Sequence, residues 1–158
     1  MIQRIQSLFM FLSAILSGLL FVFPLAAFDY GNVMMNLTVL GVDNQVDATY
    51  FSGTYTWPLI VLTVVMIIIP IFTAFLYKRR QQQVKLCQFD MFLTAVFIGL
   101  VLLYYVSDVQ TTIASESVSY KFGIIIPLVI LVFDVFAIRG VKKDIELLKS
   151  VDRLRSKV

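Results

Sequence analysis

Two carboxylates lie inside stretches otherwise apolar enough for lipid: Asp134 in LVFDVFAIRG and Asp90 in QFDMFLTAVF. An ionised carboxylate at mid-bilayer costs roughly 2.5 to 3.5 kcal/mol on insertion scales, so such a residue is either tied to a partner or serves as a proton or cation relay. Asp134 is expected about one and a half turns, some 7 Å, from the inner end of its span. Arg139 follows five residues later and therefore sits about 140° round the helix, within reach of Asp134 only by wrapping back. Asp90 is expected at the start of its helix, where the dipole stabilises a carboxylate by about 0.3 to 1 kcal/mol. Arg4, flanked by Gln3 and Gln6, opens the first apolar segment at a similar level. The candidate polar cluster is thus Arg4, Asp90, Asp134 and Arg139, with Arg4 expected to pair with Asp134 or Asp90 and fasten the helices together. The alternative role is a relay carboxylate in a cation pathway.

The rest of the inventory holds little catalytic chemistry. There are 0 histidines, which removes the commonest general base and most zinc and haem ligation. The single cysteine, Cys87, allows neither an intrachain disulfide nor paired-thiol redox chemistry and reads as an inert thiol. The seven glycines form no phosphate-cradling loop ahead of a helix. No catalytic residue, cofactor, metal or nucleic-acid partner is expected, and the chain reads as a non-enzyme.

The elements that must position these residues are set by hydropathy. Of the 158 residues, 59% are hydrophobic and 15% charged, and the mean hydropathy is +0.90; a chain of that balance has lipid as its solvent. Four segments, at about 5–28, 57–77, 89–107 and 122–138, approach the roughly 20 apolar residues needed to cross as helices. The first also resembles a secretory signal, but its apolar run exceeds the roughly 7 to 15 residues of a signal core, so an uncleaved anchor is expected.

Orientation follows from the basic residues, which stay on the cytoplasmic side. Arg4 precedes the first segment, Lys78, Arg79, Arg80 and Lys85 lie between the second and third, and Arg139, Lys142, Lys143, Lys149, Arg153, Arg155 and Lys157 close the chain; Lys121 alone falls on the other side. The opposite connections carry Asp29, Asp43, Asp47, Asp108 and Glu116. Both ends are expected inside. The formal charge of +3 reflects this sorting and is no nucleic-acid signal.

In the outer loop, about 29–56, Val33, Met35, Leu37 and Val39 alternate with Met34, Asn36, Thr38 and Leu40, a strand period. TYFSGTYTW, residues 49–57, reads as its hairpin partner, and the pair as a small cap. Asn36-Leu37-Thr38 matches a glycosylation acceptor, a triplet common by chance. Pro58 suits a helix's first turn, and Trp57 beside it suits the headgroup zone. Pro70 and Pro127 are expected to bend their spans. Ser13 and Ser17, and Ala14 and Gly18, repeat at a spacing of four, a seam for close helix packing within the chain or between chains. In the tail, Val141, Ile145, Leu148, Val151, Leu154 and Val158 form one apolar stripe, suited to a membrane surface or a protein partner.

Three cytoplasmic stretches, MIQRIQ, LYKRRQQQVKLC and VKKDIELLKSVDRLRS, resemble an uncharacterised family of four-span inner-membrane proteins of the Bacteroidetes group, domain of unknown function 4293. The resemblance runs along the whole chain, and it implies a bacterial inner membrane and four spans but no activity. Gln3, Arg4, Gln6, Tyr77, Lys78, Cys87, Lys143, Asp144, Asp152, Arg153 and Arg155 are the positions that match. The tail departs from the family pattern after Lys143-Asp144, where Ile145 stands in place of an acidic residue and Glu146 follows.

The expectation is therefore an all-α membrane protein: one integral membrane domain over 1–158, a four-transmembrane-helix bundle with a small extracytoplasmic β-hairpin cap and a C-terminal amphipathic cytoplasmic helix over 139–158. Its expected surroundings are the lipid bilayer and a membrane-protein partner or further copies of itself. Lys143, Asp144, Asp152, Arg153 and Arg155 are the candidate partner-contact residues of the tail. The expected function is a non-enzymatic accessory or scaffold subunit of an inner-membrane assembly; the alternative is a small homo-oligomeric carrier or channel using Asp134 or Asp90.

Overall fold

The computed structural model describes residues 2–30, 33–43, 55–76, 79–113 and 117–155, with the side chains of 2–6, 30, 33, 43, 113, 149 and 151–155 outside the description. The chain is mostly helical. Helix α1 spans Ile2–Leu19, α2 Trp57–Phe75, α3 Arg80–Gly99, α4 Val106–Ile113 and α5 Ile125–Arg155. A π-helical turn, Leu100–Tyr105, joins α3 to α4, so the two form one rod. Among the described residues three helical stretches are long and apolar enough to cross a membrane, Trp57–Phe75, Arg80–Thr112 and Phe122–Leu148, with the shorter apolar Ser7–Leu19 beside them. These three make the chain compatible with a membrane protein.

The first helix ends earlier than its hydropathy suggests. Pro24 lacks the amide that would continue a helix, and after it Ala26–Tyr30 forms strand β1 rather than the end of a span. Leu25, Ala26, Ala27 and Phe28 are all buried, so this stretch is apolar because it is strand core. It pairs antiparallel with β2, Val33–Thr38, and with β4, Ser117–Tyr120, while β2 continues into β3, Gly41–Asp43. The sheet order is β3-β2-β1-β4. The alternation read in β2 holds, since Met35, Leu37 and Val39 are buried and Met34 and Leu40 exposed. Residues 49–54 of the expected hairpin partner lie outside the described residues; β1 and β3 flank β2, and Trp57 begins α2.

Two helix boundaries also differ. Residues 80–88, polar enough to read as a loop, extend α3 by two and a half turns below the apolar run, because Gln, Lys and Arg are good helix formers. At the chain's end α5 runs unbroken through Gly140 to Arg155, so the expected tail helix is the continuation of the last apolar rod. Pro70 is buried inside α2. Pro127 instead falls in the first turn of α5, after a 3-10 turn at Phe122–Ile124, where its missing amide costs no helical bond.

Each long rod touches two others: α1 packs on α2 and α5, and α3 on α2 and α5. The interior divides into two apolar clusters. One joins the buried sheet face, Phe28, Leu37 and Val39, to Leu20, Met66, Phe97, Val101, Tyr105 and Ile130; the other gathers Met10, Ala74, Cys87, Ala137, Ile138 and Val141. Between them the helices turn polar side chains inward.

Candidate functional site

Along α1 the residues between Met10 of one cluster and Leu20 of the other include Ser13 and Ser17; along α5 Asp134 falls between Ile130 and Ala137; along α3 Asp90 and Thr94 fall between Cys87 and Phe97. Helical periodicity brings them inward, since each lies three or four residues from an apolar core position on its own helix. Ser13, Ser17 and Thr94 are 0% exposed, Asp90 2% and Asp134 4%. A polar layer therefore crosses the interior where lipid-facing helices would be expected to bury only carbon.

The hydroxyl of Ser13 donates to Asp134 Oδ1 at 3.0 Å, joining α1 to α5. Ser17 donates to the Ser13 carbonyl and Thr94 to the Asp90 carbonyl, both at 3.0 Å; these hydroxyls are used within their own helices. Asp90 Oδ1 and Asp134 Oδ2 are buried without a hydrogen-bond partner. Cys87 belongs to the lower apolar cluster with Ala137 and Ile138; Asp90 stands one turn above Cys87 on α3 and Asp134 one turn before Ile138 on α5, so all three residues lie along the α3–α5 contact. Below the layer the Gln83 amide donates to the Thr73 carbonyl at 3.2 Å and lies 3.5 Å from Met10 Sδ, stitching α3 to α2 and α1.

Of the expected cluster of Arg4, Asp90, Asp134 and Arg139, Asp90 and Asp134 are buried, on α3 and α5. Arg139 is exposed, as its turn of about 140° from Asp134 requires, and the side chain of Arg4 lies outside the described residues. Asp90 is ten residues beyond the start of α3 at Arg80, so the helix N-terminus does not stabilise it, a correction that follows from the longer helix. The partner of Asp134 is Ser13, which sequence reading placed only in a packing seam. The available signal was that Ser13 and Ser17 put hydroxyls, rather than bare small groups, on the inner face of α1.

In the tail, Asp144 is buried and pairs with Arg80, Nη1 to Oδ2 at 3.6 Å, and the same guanidinium reaches the Asp144 carbonyl at 3.4 Å. Asp144 is therefore committed within the chain and is withdrawn from the expected partner contact. Lys143 is exposed; the side chains of Asp152, Arg153 and Arg155 lie outside the described residues. Ile145, where the chain departs from the family pattern, packs on the lower apolar cluster. At the opposite end, the Tyr55 hydroxyl donates to Asp108 Oδ2 at 2.6 Å, and Tyr105 donates to the Tyr55 carbonyl at 3.2 Å. Burial and the hydrogen bond to Asp108 raise the Tyr55 phenol above its ordinary value.

Among the described residues no group of three or more metal-ligating side chains comes together. The layer can serve as polar glue between helices, and its buried carboxyls are groups that can take up a proton or a small cation. Compared with known proteins, the chain matches the family model described as Domain of unknown function (DUF4293) over residues 2–154. No curated protein and no solved structure matches it.

Proposed function

The chain belongs to the family of unknown function DUF4293, and from that premise we propose that it is a non-enzymatic accessory or scaffold subunit of a bacterial inner-membrane assembly. In this reading the four rods cross the bilayer as a four-helix bundle with both termini cytoplasmic, and the sheet caps the outer side. The 18 residues of α1 extend about 27 Å at 1.5 Å per residue, against a hydrocarbon core of about 30 Å. The segments 79–85 and 139–155 carry most of the cations and meet at one end of the rods, opposite the sheet.

The observation that carries the accessory reading is the shape of α5. Its 31 residues extend about 46 Å, some 16 Å beyond the bilayer core. The Arg80–Asp144 pair holds the emerging segment against α3. Beyond that latch Leu147 and Leu148, each 49% exposed, stand among Lys143, Glu146 and Ser150, a helix face suited to a partner's groove. A photo-crosslinking residue at Leu147 or Leu148 tests this in native membranes, with Leu103, exposed at 82% on the π-helical turn, as the control position. A single partner captured in stoichiometric amount at the tail but not at Leu103 is the expected result. Crosslinks only to lipid or to further copies of this chain overturn the accessory reading.

The second reading, a small homo-oligomeric carrier or channel, is favoured by the two unpartnered carboxylate oxygens of Asp90 and Asp134. It requires water to reach the layer. Flux of a cation into vesicles that is lost in Asp134→Asn with assembly intact would select it.

A further inference from the structure

We propose that the groove between α2 and α3, on the half of the molecule next to the sheet, is a lipid site that holds one acyl chain of a phospholipid. The inference rests on the reading that these two rods cross the bilayer, and it adds a ligand to that reading. The groove has a volume of about 470 Å³, within the roughly 300 to 1,000 Å³ of small-ligand sites. Its floor is made of half-buried aliphatic side chains, Leu62 and Val65 of α2 and Leu93 and Val96 of α3. Leu62 and Leu93 rest in turn on the apolar cluster that reaches the sheet. Trp57 stands exposed at one end and Phe89 at the other. Other seams are bridged by aromatic side chains: Phe9 meets Phe133 and Phe136 between α1 and α5, and Phe11 meets Phe75 between α1 and α2. Along this stretch of the α2–α3 seam the short side chains of Val65 and Val96 leave a groove instead.

Length, polarity and shape select a single acyl chain over other apolar occupants. From Trp57 to Val65 the groove runs about 12 Å along α2, and the facing stretch of α3, Phe89 to Leu100, about 16 Å, at 1.5 Å per residue. One leaflet of hydrocarbon is about 15 Å deep, half of a core of about 30 Å. The walls carry no polar side chain except the Trp57 indole, which is a donor only. It stands at the outer mouth, in the headgroup zone, where a phospholipid presents ester carbonyls that only accept. A second copy or a partner helix fits the groove poorly. Close helix pairing in membranes uses Gly, Ala, Ser or Thr to let backbones approach, and none of these lines it. Its walls also offer far less surface than the roughly 800 Å² per partner of a stable protein interface.

Trp57 is the single tryptophan of the chain, so the site carries its own probe. Resistance to alkaline carbonate extraction from native membranes is measured first; release of the chain overturns the membrane reading and the proposal with it, which separates that failure from the ones below. The full chain is then purified in detergent until bulk lipid is removed, and a phosphatidylcholine brominated along its acyl chains is titrated in while Trp57 emission is read. Quenching that saturates at one phospholipid per chain is expected in the wild type and in Leu103→Phe, a variant at an exposed position on the π-helical turn. The saturable quenching should be lost in Val96→Phe, which fills the groove from α3. Where that variant fails to fold, Val65→Phe fills the groove from α2 and is read in the same way, and the wild-type titration decides by itself if neither folds. Quenching that rises with the brominated lipid without saturating overturns the proposal, because the lipid is then only solvent. Saturable quenching that survives in a folded groove-filling variant overturns it too. So does a chain that elutes as a dimer whose Trp57 emission is blind to the brominated lipid, since a second copy then covers the groove.

Discussion

At the scale of single residues, two serines one turn apart on α1 are chemically alike and energetically different. Ser13 gives its proton to a carboxylate on another helix, whereas Ser17 gives its own to a carbonyl that already serves the helix. Removing the first donor leaves a buried carboxylate oxygen unpaired, at a cost of about 1 to 2 kcal/mol when the usual penalty is tempered by the modest hydrogen-bond energies measured within membranes. Removing the second leaves no acceptor without a partner. Ser13→Ala is therefore expected to lower stability by about 1 to 2 kcal/mol in a denaturant-unfolding series in mixed micelles, and Ser17→Ala by less than about 0.5 kcal/mol. In an Asp134→Ala background the effect of Ser13→Ala should largely vanish, since the pair then has nothing left to lose. Equal losses from both serines would mean that the Ser13–Asp134 bond contributes nothing beyond packing.

At the scale of elements, the joint between the sheet and the last rod rests on one missing side chain. Gly123, in the 3-10 turn ahead of α5, donates its amide to the Pro24 carbonyl at 3.1 Å. A β-carbon there would stand 2.9 Å from the Phe23 oxygen and closer still to Pro24. Backbone cannot yield as a flexible side chain does, so Gly123→Ala is expected to cost about 1 to 3 kcal/mol as overpacking. Gly99 is the opposite case: it is helical, and an added β-carbon meets nothing within 4 Å, so Gly99→Ala should be neutral or stabilising by up to about 1 kcal/mol. Thermal unfolding of the two variants side by side checks the contrast, and a tolerated Gly123→Ala would show that the sheet is not tightly seated there. The same joint explains where sequence reading stopped. Hydropathy located the apolar runs and the period of two located β2, because both are local properties. That residues 26–30 are strand rather than span depends on β4, nearly ninety residues away, supplying the other edge of β1. The bond between Ser13 and Asp134 likewise depends on which helices neighbour one another, which no spacing within one segment encodes.

For the whole molecule, charge and packing point the same way. The sheet lies where α1 ends, α2 and α5 begin and α4 ends, which is the end that carries the acidic connections. The opposite end gathers the cations, so the sheet end should face outward and the Arg80–Asp144 latch inward. The chain supplies a convenient reporter background, because its one cysteine, Cys87, is buried at 5% exposure and should resist a polar maleimide while the protein is folded. Single cysteines placed at Asn36 on β2 and at Lys142 on α5 then label alone. In intact cells a membrane-impermeant maleimide should modify N36C and spare K142C, and opening the inner membrane should make K142C react. The reverse pattern would invert the molecule, setting its cationic end outside against the charge rule. Labelling of both cysteines in intact cells would mean an even number of crossings between them. In that event α1, the shortest of the four rods, would still be free to cross or to lie along the surface, but α2, the α3–α4 rod and α5 could not all span. The experiment therefore tests the crossing number at the three rods whose length and composition support it best, and it fixes the side of the membrane on which the projecting end of α5 could meet a partner.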